Sequence, residues 1–401
     1  MDYRVAFMQN VHDIKRLNTF KIIDAIRFND GRTKKEIASG TGLSFATVSN
    51  ICRELREKNL ILETQVDKSD LGIGRLPNTV SLNYNEFFGL CIDMHHGARI
   101  VLALTNLRNE IVIRREICLK KHDQLADIIA LCSSVYKQAC KEAGVSRESI
   151  LEVCVAVPGI YDNKTSLIVE SSVSLFEDQP LKAMLEEAFD LPVFVGNESN
   201  LSSMSIILSS NLKMQHVKNL IYIFCSEGLG LGVIADGRQL LGCDGYAAEV
   251  CHTPVGNEKL LCERCGGTGC VESDLAISGF ITKYFDYAPW NRKQMYEYWA
   301  DFLLAVESGE QKALDVVHEN AKVLGRLTSV LVNIFDPEIV CIGGSISVLF
   351  EQMKPTIEAE VESRIIGRLG RRGLLLQDAD ENTIIYGCAE KIYNRINFSM
   401  L

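Results

Sequence analysis

One histidine and three cysteines crowd into a short stretch of this chain: His252, Cys262, Cys265 and Cys270, within C-H-T-P-V-G-N-E-K-L-L-C-E-R-C-G-G-T-G-C-V-E. One imidazole and three thiolates form a four-ligand set suited to tetrahedral zinc, and the glycines between the ligands let the loop turn tightly around an ion. A redox C-x-x-C pair or scattered core cysteines are the plainer uses of the same residues. With all four places filled by protein, the Zn2+ is expected to be structural rather than catalytic. Glu249 and Glu272 stand on either side of this loop, where the metal clamp could hold them against a ligand.

Such a loop needs a scaffold. At 401 residues the chain is long enough for two or three domains, each with its own core. No apolar run approaches a membrane span and neither end carries a secretory segment, so a cytoplasmic protein with no membrane partner is expected. Most of the 14 cysteines would then remain thiols. The net charge of -10 is unevenly spread: residues 1–82 carry 13 Lys and Arg against 10 Asp and Glu, and the remainder 29 against 42. A slightly basic module on an acidic body is consistent with nucleic-acid binding at the N-terminal end.

That end reads as a winged helix-turn-helix. Ile14, Leu17, Ile22, Ile23 and Ile26 predict a helix over 12–28, stopped by Asn29-Asp30-Gly31. T-K-K-E at Thr33 to Glu36 is a capping box opening a short second helix. After Gly40-Thr41-Gly42, Ser44 caps a third, whose Val48, Ile51, Cys52 and Leu55 mark the buried face. Its opposite face is small and polar, as a major-groove reader requires. Two strands, around Leu60–Leu62 and Thr79–Leu82, flank a Gly-rich loop and would make a wing carrying Arg75. The expected partner is double-stranded operator DNA, with Ser44, Thr47, Ser49, Asn50, Arg53 and Arg75 as candidate contacts. A generic helical hairpin is the bland alternative.

From Phe88 onward strands alternate with helices, in two units that divide near Leu220, which predicts an α/β body of two lobes with a cleft between them. The expected boundaries are 1–84 for the DNA-binding domain, 85–205 for the first lobe, completed by a C-terminal helix at 386–401, and 206–385 for the second lobe, which holds the metal loop and an oligomerisation surface.

The helix-turn-helix, V-P-G, G-N-E-S-N, G-L-G-L-G-V-I-A-D-G, E-V-C-H, the cysteine loop ending C-V-E and D-P-E-I-V-C-I-G-G occur in an order that resembles the ROK family of repressors and sugar kinases, over essentially the whole chain. The resemblance implies an actin-like (ribonuclease-H-like), sugar-kinase-type body with a structural zinc loop, and a repressor of the xylose or N-acetylglucosamine type that acts as a homodimer or homotetramer. It also implies that a sugar effector meets Asn197, Glu198, Glu249, His252 and Glu272. Two departures stand out: Cys251 replaces a glycine of the family's E-x-G-H, and Glu263-Arg264 expand its C-x-C to C-x-x-C.

The kinase parts are altered. The family's first phosphate loop, D-x-G-G-T, is Asp93-Met94-His95-His96-Gly97 here, and its second, G-T-G-I-G, is Ser226-Glu227-Gly228-Leu229-Gly230. Bulky side chains keep backbone amides from a phosphate, and the Glu227 carboxylate would repel one. The base aspartate is replaced by Glu198, one methylene longer. The pair Gly343-Gly344 remains, with a plain strand-to-helix turn as its simpler explanation. His95 and His96 read as surface or packing residues, as do Trp290, Tyr296 and their aromatic neighbours. A non-catalytic, sugar-responsive regulator follows; a sugar kinase with a DNA-binding module and a regulator controlled by a protein partner are the alternatives.

Overall fold

The computed structural model describes residues 11–65, 78–95, 99–119, 124–162, 164–171, 173–208, 217–262, 264–291, 294–366 and 375–398. Helices α1 (Val11–Arg27), α2 (Lys34–Thr41) and α3 (Phe45–Glu57) pack beside a small antiparallel sheet ordered β1 (Arg32–Thr33), β3 (Asn78–Leu82), β2 (Ile61–Gln65). The capping box forms: the Thr33 amide donates to Glu36 Oε2 at 2.7 Å, and the Glu36 amide donates to Thr33 Oγ1 at 3.3 Å. Val48, Ile51, Cys52 and Leu55 are all buried, on the face their spacing defines. Ile14 departs from expectation: it is 47% exposed, one turn before the stripe reaches the core. Arg75, with the rest of the expected wing loop, and His96 lie outside the described residues.

Two five-stranded sheets make up the body. The first runs β6 (Ile111–Cys118), β5 (Arg99–Asn106), β4 (Phe88–Asp93), β7 (Ile150–Val157), β10 (Val193–Asn197); the second runs β13 (Arg238–Gln239), β12 (Leu229–Ala235), β11 (Leu220–Cys225), β14 (Ile339–Gly343), β15 (Leu375–Gln377). In each, an antiparallel meander of three strands is followed by two strands parallel to the first. The lobes therefore repeat one topology, and the turn after β4 corresponds to the turn after β11.

Helices α4 (Leu125–Ala143) and α5 (Leu181–Phe189) cover the outer face of the first sheet. The second lobe's outer layer is α7 (Val271–Leu275), α8 (Ile277–Tyr284), α9 (Met295–Glu307), α10 (Gln311–Phe335) and α11 (Phe350–Arg364). Between the sheets lie α6 (Glu198–Leu208) and α12 (Thr383–Arg395), sharing one core with residues of both: Cys91 and Cys154 of the first, Tyr222 and Cys341 of the second, Leu201, Ile385 and Cys388 of the helices. The two helices touch backbone to backbone, since a Cβ at Gly387 would stand 2.1 Å from the Leu201 carbonyl oxygen. Any side chain there would force the pair, and so the lobes, apart.

The N-terminal domain is fastened to the first lobe. Its core continues into Leu107, Tyr393, Ile396 and Phe398. Arg27, at the end of α1 and fully buried, donates to the Leu107 carbonyl at 2.7 Å, to Glu390 Oε2 at 2.7 Å and to Asn109 Oδ1 at 2.6 Å. Its guanidinium lies 3.3 Å from the Tyr393 ring centroid. A buried cation is tolerated when ion pair, hydrogen bonds and ring face replace its water, and all three do so here.

Candidate metal centre and ligand cleft

The loop between β13 and α7 brings His252, Cys262, Cys265 and Cys270 together, with donor atoms all within 4.8 Å of one another. Cys262 Sγ lies 3.6 Å from His252 Nδ1, and Cys265 Sγ lies 3.5 Å from Cys270 Sγ. Tetrahedral zinc with Zn–S near 2.3 Å sets its ligands roughly 3.7 Å apart, so this donor set fits the ion in type, number and span. Burial opposes ionisation of Cys262, yet backbone amides of Cys265 and Arg264 outweigh it and bring the thiol down to about 7. Cys270 goes the other way, to about 12, through burial and the neighbouring sulfurs. Three facing thiols cannot all ionise without a cation among them.

The loop is anchored from behind. Asp274 is fully buried; its Oδ1 accepts from Lys283 Nζ at 2.5 Å and its Oδ2 from the Asn257 amide at 2.7 Å, and Lys283 also donates to Asn320 Oδ1. Cys251, the residue in place of glycine, turns its thiol to the Leu229 carbonyl at 2.8 Å, so the larger side chain is accommodated against β12.

In front of the loop, between the lobes, opens a cavity of about 150 Å³ whose walls include Asn197, Glu198, Glu249, His252 and Glu272. All five residues expected to meet a sugar are thus gathered in one place. Asn197 sits differently from expectation: its Oδ1 accepts from the amides of Ser199 at 3.0 Å and Asn200 at 3.1 Å, capping α6, while its Nδ2 donates to the Gly159 carbonyl and to Glu198 Oε2. Its amide is largely spent on aiming Glu198. Glycines make the approach possible: a Cβ at Gly230 would lie 2.7 Å from Ser199 Oγ, and one at Gly232 would lie 2.5 Å from the Ser199 carbonyl. The G-L-G-L-G run therefore seats α6 on β12.

Burial pushes the Glu198 carboxyl up to about 8, with only partial relief from His95. Glu249 is raised too, by desolvation and then by the Glu170 carboxylate. His95 lines the cleft, contrary to its expected packing role, and its Nδ1 lies 2.6 Å from Asp93 Oδ1. Burial would lower its pKa, but Asp93, Glu198 and Glu227 together raise it. Tyr296 also departs from a packing role, donating to Glu227 Oε1 at 2.5 Å. Trp290, Phe285 and Tyr298 do pack on one another, at ring centroid distances of 5.3 and 6.0 Å.

Three contacts tie the second lobe to the hairpin β8 (Ile160–Asp162) and β9 (Leu167–Glu170) of the first: Arg264 to Glu170 at 3.1 Å, Lys164 to Asp244 at 2.6 Å, and Tyr246 to Asp162 at 3.3 Å. Arg264, the residue that expands the cysteine knuckle, also lies 3.7 Å from Glu272 Oε2. The unusual spacing was the signal that could have found this bridge. Gly343 and Gly344 are explained by packing, for Cβ atoms there would come within 2.1 Å of Tyr222 Oη and 2.3 Å of the Cys225 carbonyl.

On the DNA side, Ser44 Oγ accepts from the Thr47 amide at 3.1 Å and shares a 2.8 Å hydroxyl contact with Thr47. Ser44, Asn50 and Arg53 are exposed, with Thr47 and Ser49 half-buried beside them. Arg53 Nη2 reaches Asn50 Oδ1 at 3.5 Å.

A DNA-binding domain seated on a two-lobed body with a polar cleft defines a ligand-controlled transcription regulator. The ROK family model matches residues 90–389, and a winged helix-turn-helix DNA-binding model matches residues 15–61. The chain belongs to the ROK family, on its transcriptional-regulator side. It is 25% identical over 385 residues to the xylose repressor of Caldicellulosiruptor bescii, covering 94% of this chain and 95% of that one. It is 24% identical over 374 residues to the transcriptional dual regulator NagC of Escherichia coli, covering 90% and 88%. A solved ROK family transcriptional regulator, a homologue of the E. coli Mlc protein, shares the fold with a TM-score of 0.78 at 22% identity, over 97% of this chain and 98% of that one. Among the described residues no helix is long and apolar enough to cross a membrane.

Proposed function

We propose that the protein is a sugar-responsive transcriptional repressor in which a sugar between the lobes changes operator affinity, and that it does not phosphorylate that sugar. The observation that carries this is the cleft itself. Glu198, Glu249 and Glu272 converge beside the metal loop, and carboxyl groups spaced around a cavity offer the hydrogen-bonding positions that vicinal hydroxyls require. His252, Cys262, Cys265 and Cys270 would hold a Zn2+ ion, which supplies no chemistry beyond fixing the loop that carries His252 and Glu272. Glu227, clasped by Tyr296 in the second phosphate turn, argues against a bound triphosphate.

In this reading Asn50, Arg53, Thr47 and Ser49 meet DNA, with Ser44 fixing the start of the recognition helix. Arg75 would act from the wing. Two copies of the chain would present two such helices to a palindromic operator. With a division into residues 1–84, 85–205 with the C-terminal helix, and 206–385, the sugar would sit at the junction of the last two units.

Titration of labelled operator with and without saturating sugar tests the proposal, using xylose, glucose and N-acetylglucosamine as probes. Sugar should weaken operator binding, and operator should weaken sugar binding by the same factor. Independent binding of the two ligands would refute it, and sugar-dependent turnover of ATP would establish the kinase instead.

A further inference from the structure

Behind the sugar cleft lies a second, smaller cavity of about 80 Å³. The two share Gly159, Ile160, Asn197 and Glu249 in their walls, so the smaller one is an annex. Its own walls are contributed by both lobes: Tyr161, Phe194 and Asn200 from one side, Gln239 and Leu241 from the other, with Lys391 of α12 closing the end.

Two polar groups of this annex lack a protein hydrogen-bond partner among the described residues, and one of them is fully buried. Asn200 Oδ1 is buried without a hydrogen-bond partner. Lys391 has no ion-pair or hydrogen-bond partner among the described residues; its ammonium lies 4.5 Å from the Phe194 ring centroid, and desolvation lowers its pKa. An unsatisfied buried acceptor costs roughly 1–3 kcal/mol, so Asn200 Oδ1, in a wall that also carries the half-buried Lys391, marks a place for a hydrogen-bonding ligand.

A hydroxyl can satisfy both kinds of group, donating to Asn200 and accepting from Lys391. An anion could pair with Lys391 but would do nothing for Asn200 Oδ1 and would face Glu249. An apolar group would satisfy neither. Tyr161 adds ring surface of the sort on which the apolar face of a sugar ring packs, whereas the Phe194 ring already carries Lys391 and Arg395, whose cationic groups lie 4.5 and 5.2 Å from its centroid.

We propose that the annex is a second glycosyl subsite and that the effector is a disaccharide, one unit in the main cleft and the other against Tyr161, Asn200 and Lys391. The proposal rests on the sugar reading of the main cleft. Lys391 follows Glu390, the residue that holds Arg27 of the DNA-binding domain, so the second unit would touch the helix on which that domain is mounted.

Calorimetric titration of the full-length, zinc-loaded protein with xylose, glucose, xylobiose, cellobiose and maltose tests it. At least one disaccharide should bind about 10-fold more tightly than its own monosaccharide. Lys391→Met should erase that advantage and leave monosaccharide affinity unchanged. Leu241→Trp, which fills the annex from the other lobe without touching α12, should do the same and guards against a folding defect in the first variant. Monosaccharides that bind as tightly as, or more tightly than, every disaccharide would overturn the annex while leaving the sugar cleft standing. Equal losses for mono- and disaccharide in both variants would also overturn it. Silence from every sugar would overturn both readings together.

Discussion

In the first lobe the turn after β4 carries Asp93 and His95; in the second lobe the turn at the same topological place, after β11, carries Ser226, Glu227 and Gly228. Both turns line the cleft, because the repeated strand order delivers the ends of the first hairpin of each lobe to the same gap. What they present differs in sign. His95 is held toward its cationic form by the acidic side chains around it, and Glu227 is an acidic side chain clasped by Tyr296. A scaffold that could offer two rows of backbone amides instead offers an imidazole and a carboxylate. The topology repeats and the chemistry does not, so function here resides in loops and turns that the fold merely aligns.

The lobes also differ in what they are attached to. The first holds the DNA-binding domain through Arg27 and α12, and the second holds the metal loop. The largest effect should come from striking the second lobe alone. Removing the metal with a chelator, or Cys262→Ser, should lower the melting temperature by about 10 °C and abolish the sugar-induced shift, since a structural ion contributes its binding energy to folding. Differential scanning fluorimetry with metal analysis would show it. An unchanged melting curve after metal loss would mean that the Asp274–Lys283–Asn320 anchor holds the loop unaided.

A smaller effect is expected on the first-lobe side. Glu390→Ala leaves Arg27 buried without its ion pair, a loss of about 3–5 kcal/mol for such sites. Arg27 keeps its bonds to Leu107 and Asn109, which places the expected cost near the lower figure. Operator affinity should fall while sugar affinity at the cleft stays near its starting value, measured by anisotropy and calorimetry on one preparation. Equal damage to both would show that α12 couples the two sites too tightly to be treated apart, because α6, bearing Glu198, lies against it.

Much of this was legible in the residues. The buried stripe Val48, Ile51, Cys52 and Leu55, the Thr33–Glu36 capping box and the gathering of His252, Cys262, Cys265 and Cys270 follow from local spacing, where side-chain period and backbone geometry leave few options. Other features were out of reach because they depend on long-range neighbours. Arg27 is one charged residue at a helix end until Glu390 and Tyr393, more than 360 positions later, make it a joint. His95 turned inward because Asp93, two residues back, accepts from both its backbone amide and its ring, a local contact whose significance emerges only when Glu227 of the other lobe is placed opposite. The G-L-G-L-G run was legible as a family pattern, but the reason for its glycines, room for Ser199, was not.

The smallest expected effect bears most directly on the two turns. The Glu198 carboxyl, between His95 and the cleft, titrates near 8 in the folded protein against about 4.5 when free, so the folded state holds its proton. Its contribution to stability is complete below pH 4.5 and is lost as pH climbs through 8. His95, raised above 6.5, acts in the same sense: its contribution is complete below 6.5 and is lost as pH rises through its folded value. Stability should therefore decline from about pH 5 to pH 8 and beyond. Glu198→Gln cannot ionise, and it should be more stable than the parent at pH 9, where the parent must ionise a buried carboxyl. The gap should close towards pH 4.5, leaving only the His95 slope in the variant. Melting temperature against pH for the two proteins tests this. Parallel curves would mean that Glu198 is ionised throughout, that the first-lobe turn neutralises it fully, and that the two turns share one charge network instead of facing each other as opposites.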